Sequence, residues 1–245
     1  MSAMPCFDQE LFDIRCEWGL SGVEQIASSD AIVIVDVLSF STSVEVAVSR
    51  GVTVFPYRWK DESAEAYAQQ RSAELATSRN RIPGKYSLSP SSLLTAPRGL
   101  RLVIPSPNGS TLAFAAMSHG ATVFAGCLRN ASAVARQAQA VGRRIAIIPA
   151  GERWADGSLR PAIEDLIGAG AIIQQLEGPR SPEASVAVAA FEDAAPRLQN
   201  RLLFCSSGRE LKARGFIDDV EIAAEYDVSD VVPTLVDDAF VTKVG

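Results

Sequence analysis

The feature that most constrains this chain is an alternation of two periodicities. Short runs rich in β-branched residues are followed by longer stretches with the spacing of amphipathic helices. This alternation is typical of parallel strands joined by crossover helices. We therefore predict an α/β protein with a mostly parallel or mixed sheet, folded as a single unit over residues 1–245. A two-lobed arrangement is compatible with the pattern, but no linker marks a boundary.

The same pattern places the individual elements. The predicted strands are residues 31–37, 52–56, 101–105, 122–125, 144–149 and 202–206. The predicted helices are residues 41–50, 61–79, 110–119, 130–141, 160–176, 182–200 and 208–214. Segment 81–97 is rich in Pro, Ser and Gly and has neither periodicity, so it is predicted to be a long ordered loop. Such loops are often functional.

Charge and hydropathy exclude several classes of partner. The chain has 23 basic and 29 acidic residues, a net charge of −6, and a sequence pI near 5.0. Nucleic acids and anionic membranes select clustered Lys and Arg, so neither is expected as a partner. The apolar runs are far shorter than the roughly 20 residues that cross a bilayer. No basic segment followed by a long apolar stretch begins the chain, so we expect a cytoplasmic protein.

Cysteine and histidine usage narrows the chemistry. The four cysteines, Cys6, Cys16, Cys127 and Cys205, are scattered without CxxC spacing, which predicts reduced thiols rather than a zinc site or disulfides. His119 is the only histidine, so most histidine-based metal centres are excluded and a Ser-His-Asp hydrolase would depend on this one side chain. The chemistry must therefore use carboxylates, hydroxyl groups, arginines and backbone amides.

An acidic residue closes the first predicted strand. Asp36 interrupts an otherwise apolar run at the carboxyl end of the strand, where open α/β sheets bind ligands. A carboxylate buried there is costly unless it binds a cation or hydrogen-bond donors. The alternative is that Asp36 caps the following helix, although Ser39, Ser41 and Thr42 are better placed for that role. We interpret Asp36 as a functional residue.

Two more predicted strands run into small-residue turns followed by helices, an arrangement that binds phosphate through backbone amides. The predicted phosphate-binding residues are Asn108, Gly109, Ser110 and Thr111 in the first turn, and Ser207, Gly208 and Arg209 in the second. The Arg209 guanidinium can bind an oxyanion through two hydrogen bonds. The alternatives are an ordinary Asn-Gly turn with Ser110 as the helix cap, and a surface helix with a solvated Arg209.

A cysteine precedes the second of these turns. Cys205 lies four residues before Arg209, a shorter spacing than the Cys-x5-Arg loop of cysteine phosphatases. We therefore predict that Cys205 is a buried side chain and not a nucleophile.

Three carboxylate residues follow the fifth predicted strand in the sequence. Glu152 follows that strand, and Glu164 and Asp165 lie in the next helix. These hard oxygen donors favour magnesium over zinc. Adjacent residues on a helix diverge by about 100 degrees, so only one of Glu164 and Asp165 is expected to face a given site. We predict a magnesium site drawn from Asp36, Glu152, Glu164 and Asp165, with catalytic roles for Asp36, Glu152 and Asp165.

Eight short blocks, at residues 35–42, 83–90, 107–111, 130–134, 150–152, 164–170, 207–211 and 224–233, occur in order over most of the chain. They include PNGST at 107–111, SGREL at 207–211 and AEYDVSDVVP at 224–233. No single block is specific to one protein family, but the occurrence of all eight in this order is. Together they resemble the 2-phosphosulfolactate phosphatase (ComB-type) family of coenzyme M biosynthesis.

The resemblance implies a fold peculiar to that family and a magnesium-dependent hydrolase acting on a small anionic phosphomonoester, (2R)-2-phospho-3-sulfolactate. Ser39 stands where the family commonly has an arginine, so hydrolysis is better supported than this particular substrate. A non-catalytic protein that binds small anions is the alternative from another class. A nucleotide-binding oxidoreductase is disfavoured because no glycine fingerprint follows the first strand. A homo-oligomer is compatible with the sequence.

Overall fold

A computed structural model describes residues 7–26, 28–58, 61–77 and 84–242. The strands are β1 (Ile14–Cys16), β2 (Ala31–Val35), β3 (Thr53–Tyr57), β4 (Glu74–Leu75), β5 (Arg101–Pro105), β6 (Thr122–Gly126), β7 (Ile145–Pro149), β8 (Glu152–Arg153), β9 (Leu159–Arg160), β10 (Pro233–Val236) and β11 (Ala239–Thr242). The helices are α1 (Gly19–Gln25), α2 (Phe40–Ser49), α3 (Ser63–Gln70), α4 (Pro90–Leu93), α5 (Gly109–Met117), α6 (Ala131–Val141), α7 (Ile163–Gln174), α8 (Pro182–Ala194), α9 (Leu198–Phe204), α10 (Ser206–Ala213) and α11 (Ile217–Ala223).

Within the described residues, nine strands form one mixed sheet in the order β1-β7-β2-β6-β10-β11-β3-β5-β4. Strands β1, β7, β2 and β6 run parallel to one another, and so do β3, β5 and β4. The hairpin of β10 and β11 lies between the two groups and pairs antiparallel with β6 and β3. The two parallel groups therefore run in opposite directions. The predicted α/β fold with a mixed sheet is confirmed.

Helices cover both faces of the parallel group around β2, which explains its uninterrupted apolar sequence. Val33 and Val35 of β2 pack in one core with residues of α6, α7 and α8. Ile32 and Ile34, which point to the opposite face, pack with residues of α1 and α5. The segment that carries Asp36 is thus anchored in a strand buried on both sides. Among the described residues, no helix combines the length and apolar character needed to span a bilayer.

Some predicted elements were wrong. Residues 202–206 are not a strand, because α9 continues to Phe204 and α10 begins at Ser206, with Cys205 between them. The apolar run at 202–205 is short enough to suit either structure, and Leu198, Leu202 and Leu211 are instead buried in a helical core. The helix predicted over 61–79 ends at Gln70 and is followed by β4, while residues 78 and 79 lie outside the described chain.

The predicted loop at 81–97 contains a short helix, α4. Residues 81–83 of this loop lie outside the described residues. The sequence patterns did not predict β1, α1, α11 or the hairpin of β10 and β11. Strand β1 has only three residues and lies at one edge of the sheet, where its register is set by its partner β7.

Candidate active site

A cleft of about 310 Å³ lies at the ends of β2, β5 and β7, beside α10. Its lining residues come from the turns after β2 and β5, from β8, from the segment before α4, and from α10 with the residue that follows it: Asp36, Leu38, Ser39, Leu88, Ser106, Pro107, Asn108, Glu152, Arg153, Ser207, Glu210 and Arg214. Residues that are far apart in the chain therefore surround one small space.

Two helix starts converge on Asp36, which is 7% exposed. Its Oδ1 accepts a hydrogen bond from the Phe40 backbone N–H at 3.0 Å, at the start of α2. Its Oδ2 accepts one from the Gly109 backbone N–H at 3.2 Å, at the start of α5. Both N–H groups and both helix dipoles favour a negative charge at this position. Asp36 is therefore a cap for two helices and also lines the cleft.

The alternative that Asp36 caps α2 is thus confirmed, whereas the expectation that Ser39, Ser41 and Thr42 are better placed for that role was wrong. The Ser39 side chain makes no capping hydrogen bond. The Ser41 hydroxyl donates to the carbonyl of Ile34 at 2.9 Å, and the Thr42 hydroxyl donates to the carbonyl of Val37 at 2.8 Å. These two hydroxyl groups therefore stabilise the turn after β2 through hydrogen bonds to nearby backbone carbonyls.

Asn108, in the turn before α5, contacts a second carboxylate of the cleft, Glu152. Its side-chain amide donates to Glu152 Oε2 at 2.9 Å. Because the next residue, Gly109, donates to Asp36, adjacent residues before and at the start of α5 contact two of the three carboxylates that line the cleft; the third is Glu210. The arrangement holds Asp36 and Glu152 close to one another on one wall.

Asp165 and Glu164 diverge, as expected for neighbours on a helix. Asp165 is 3% exposed, and its two oxygens accept hydrogen bonds from the backbone N–H groups of Val37 at 2.7 Å and Gly151 at 2.9 Å. Burial, followed by the charges of Asp36 and Glu164, holds the pKa of Asp165 well above its usual range. Glu164 is also buried and lies near the Cys205 thiol. Neither carboxylate lines the cleft.

The predicted phosphate-binding residues comprise two that line the cleft, four whose hydroxyl or N–H groups bond to neighbouring protein atoms, and one that is exposed. Asn108 and Ser207 line the cleft. The Ser110 hydroxyl accepts from the Tyr57 N–H at 3.2 Å, the Thr111 hydroxyl donates to Pro107 at 2.7 Å, and the Gly208 N–H donates to the Cys205 sulfur at 3.3 Å. The Gly109 N–H is bonded to Asp36. Arg209 is exposed on α10 and does not line the cleft.

Two cleft arginines were missed by the sequence reasoning. Arg153 and Arg214 line the cleft, and Arg214 pairs with Glu210 at 3.2 Å. A signal for Arg214 was present: Ser207, Glu210 and Arg214 are three and four residues apart, which places them on one helix face, whereas Arg209 is turned away from that face. Arg153 directly follows Glu152 and shares its strand.

Comparison with known proteins decides the family of this chain. The 2-phosphosulpholactate phosphatase family matches residues 21–238. The chain belongs to this family. The predicted resemblance is therefore confirmed, and with it the prediction of a phosphoric monoester hydrolase.

Relatives in this family cover most of the chain. The 2-phosphosulfolactate phosphatase of Methanothermobacter thermautotrophicus is 28% identical over 210 residues, 86% of this chain and 88% of that protein. A probable 2-phosphosulfolactate phosphatase of Carboxydothermus hydrogenoformans is 30% identical over 213 residues, 84% of this chain and 87% of that protein. A third, from Thermus thermophilus and also termed probable, is 29% identical over 219 residues, 86% of this chain and 90% of that protein.

The donor set of this phosphatase's cleft bears on the magnesium prediction. Within the described part of the chain, no three His, Cys, Asp or Glu side chains form a group that could hold a metal ion. Magnesium, however, is usually held by one or two carboxylates together with waters and the phosphate of the substrate. Asp36 and Glu152 on the same wall fit that mode of binding. Glu164 and Asp165 lie behind the wall.

Cys205 of this phosphatase has the surroundings of a structural thiol. Its sulfur accepts from the Gly208 N–H and lies 3.1 Å from the Leu202 carbonyl, to which it donates. Burial, with the nearby Glu164 carboxylate, raises the pKa of Cys205 to about 12, so the thiolate is scarce near neutral pH.

We expect Cys205→Ser to keep kcat/KM within about threefold of the wild-type value, because serine is itself a favourable helix cap. Phosphate release at subsaturating substrate measures this. Cys127→Ser, which changes another buried thiol away from the cleft lining, is the matched control. Complete loss of activity in folded Cys205→Ser would show that the thiol acts as a nucleophile.

Proposed function

We propose that this chain hydrolyses (2R)-2-phospho-3-sulfolactate to 3-sulfolactate and phosphate, with magnesium as the cofactor. The observation that carries the proposal is the cleft wall formed by Asp36 and Glu152, which faces a space that also contacts Arg153 and Arg214. A divalent cation between these carboxylates and the substrate would offset their repulsion of its anionic groups, while the arginines bind anionic groups directly. The name of the Methanothermobacter thermautotrophicus relative supports the substrate.

The cleft residues would act as follows. Asp36 and Glu152 would hold magnesium, which when bound neutralises charge on the phosphoryl oxygens. The two helix N–H groups fix Asp36, and the Asn108 amide orients Glu152. Glu152 is placed to orient the attacking water. The water oxygen forms a bond to phosphorus as the bond to the ester oxygen breaks, the water loses a proton to solvent, and the leaving alkoxide takes one from solvent to give the hydroxyl group of 3-sulfolactate. Asn108 and Ser207 are placed to donate to phosphoryl oxygens.

Arg214 is suited to bind the remaining anionic groups of the substrate. Its guanidinium is paired with Glu210, which also lines the cleft. A sulfonate or carboxylate of the substrate would compete with Glu210 for this guanidinium. Because both partners are about half exposed, the pair itself contributes little to stability and can exchange without disturbing the fold.

The proposed reaction belongs to coenzyme M formation in the cytoplasm. Cys16, Cys127 and Cys205 are free in the structure, which suits a reducing compartment, while Cys6 lies outside the described residues.

The direct test is phosphate release from 2-phospho-3-sulfolactate and from 2-phospholactate, each with MgCl₂ or with excess EDTA. We expect turnover only with the divalent cation and a higher kcat/KM for the sulfonated substrate. Full turnover in excess chelator would refute the magnesium requirement. Binding of 2-phospho-3-sulfolactate without release of phosphate would instead support the non-catalytic anion-binding alternative.

Arg214 and Arg209 provide a matched pair of variants on one stretch of helix. We expect Arg214→Ala to raise KM about tenfold with a smaller change in kcat, because the contact is made in both ground and transition states. Arg214→Lys should restore part of the loss, since it keeps the charge but not the planar fork. Arg209→Ala removes the same charge outside the cleft and should leave both constants unchanged. An equal rise in KM for Arg209→Ala would place Arg209 at the substrate.

A further inference from the structure

One buried carboxylate connects the segments that follow β2 and β7 and lead to two of the cleft carboxylates, Asp36 and Glu152. Val37, whose N–H donates to Asp165 Oδ1, directly follows Asp36. Gly151, whose N–H donates to Asp165 Oδ2, directly precedes Glu152. Asp165 itself is buried and does not line the cleft, so it does not reach the space where a substrate would bind.

The position of this connection explains why a carboxylate is needed there. Strands β2 and β7 pair in parallel as far as Val35 and Pro149, and the Ala150 N–H still donates to the Val35 carbonyl at 2.8 Å. Beyond that point the segments after β2 and β7 diverge from each other and form the cleft wall. The N–H groups of Val37 and Gly151 are both donors and cannot bond to each other. A carboxylate placed between them accepts from both and continues the connection where the ladder ends.

We propose that Asp165 is a positioning residue that fixes the separation of Asp36 and Glu152 by holding the backbone N–H group beside each of them. This inference rests on the proposed function, because it assigns Asp165 a role in placing the carboxylates that would act on the substrate. Displacing a catalytic group by about 1 Å can lower a rate by about a hundredfold. A residue behind the cleft wall can therefore affect turnover strongly without touching the substrate.

The Gly151 side of the connection is also tightly constrained. Gly151 has φ of +68°, and a Cβ atom there would lie 2.7 Å from Leu159 Cδ1 and 3.0 Å from the Arg160 carbonyl oxygen. The turn thus lies directly against β9, and a side chain at 151 would push it away from Asp165. Gly151→Ala perturbs the same connection while leaving Asp165 in place.

Asp165→Asn is the main test. Asparagine has one carbonyl oxygen and an NH₂ group, so one of the two backbone N–H groups would face a donor. We expect kcat to fall at least about tenfold while KM stays within about threefold. The affinity for Mn²⁺, measured by electron paramagnetic resonance as a probe of the two carboxylates, should fall at least about tenfold. Amide exchange at Val37 or Gly151 should accelerate, while exchange within β2 and β7 should not.

Asp227→Asn is the matched control. Asp227 also accepts from a backbone N–H, that of Ser132 at 2.9 Å, and joins segments 95 residues apart, but it does not line the cleft. We expect Asp227→Asn to lower Tm and to leave kcat and Mn²⁺ affinity unchanged. If Asp165→Asn gives the same result as this control, Asp165 is only structural and the proposal is overturned.

Two outcomes need separate treatment. If Asp165→Asn does not fold, Gly151→Ala decides: a fall in kcat and Mn²⁺ affinity supports the proposal, and wild-type values overturn it. If the wild-type protein releases no phosphate from 2-phospho-3-sulfolactate, the proposed function fails. The Mn²⁺ affinity and the amide exchange of Val37 and Gly151 then still test the positioning role, and unchanged values in the variants overturn it.

Discussion

Asp36→Asn is expected to lower kcat at least about a hundredfold in a protein that still folds. The carboxylate accepts from the first backbone N–H groups of α2 and α5 and lines the cleft, so one side chain sets the geometry and the charge of the wall. Asparagine removes the charge and presents an NH₂ group to one of the two N–H donors. Phosphate release under saturating substrate and magnesium measures the effect.

The test must separate loss of charge from loss of the helix caps. Loss of a helix cap costs about 1 kcal/mol, which circular dichroism in urea can detect. Asp227→Asn controls for the removal of a carboxylate that bonds a backbone N–H elsewhere in the chain. A wild-type rate in folded Asp36→Asn would show that Asp36 is only a cap. A loss of activity that parallels a loss of folded protein would show the same.

The strands around Asp36 could be predicted because their sequence reflects burial on both faces. The residues of β2 and β7 are all buried, which requires unbroken apolar runs, and a polar residue directly after such a run stands out. The hairpin of β10 and β11 lacks this signal. Its place in the sheet is set by its partners: β10 pairs with β6 at one position, and β11 pairs with β3 at one position. Contacts between distant segments thus decide its place.

The site could be predicted only in part, for a similar reason. Asp36, Asn108 and Glu152 follow strand ends, and the structure places all three at the cleft. Which backbone amides face the cleft depends on contacts that the sequence does not display. The Gly109 N–H is directed to Asp36, and the Gly208 N–H to the Cys205 sulfur. Small residues at a helix start therefore identified the turns but not their hydrogen-bond partners.

The acidic block at 224–233 joins distant segments of the chain. Arg129 donates to buried Glu45 at 2.6 Å and also pairs with Glu225. Asp227 accepts from the N–H and the hydroxyl of Ser132 at the start of α6. Neither Glu225 nor Asp227 lines the cleft. The block contributes to the fold by holding the segment before β10 against α2 and α6.

The second large effect is expected at Gly109. A Cβ atom at this position would lie 2.2 Å from Phe40 Cδ1 and 2.6 Å from Phe40 Cγ. Phe40 cannot easily move, because its ring is fully buried and packs edge-on against Phe240, with 6.1 Å between ring centroids. Gly109→Ala must therefore separate the starts of α2 and α5, whose N–H groups both donate to Asp36.

We expect Gly109→Ala to lower kcat/KM about thirtyfold or more and to cost about 1–3 kcal/mol of stability through overpacking. Phe40→Ala on the Gly109→Ala background removes the two nearest atoms, Cδ1 and Cγ, and leaves only the Cβ contact at 2.9 Å. If the ring is the cause, the double variant recovers part of kcat/KM although Phe40→Ala alone destabilises the core. Wild-type kcat/KM in folded Gly109→Ala would show that activity does not require both helix starts to donate hydrogen bonds to Asp36. Strictly additive losses in the double variant would show that Phe40 does not transmit the effect.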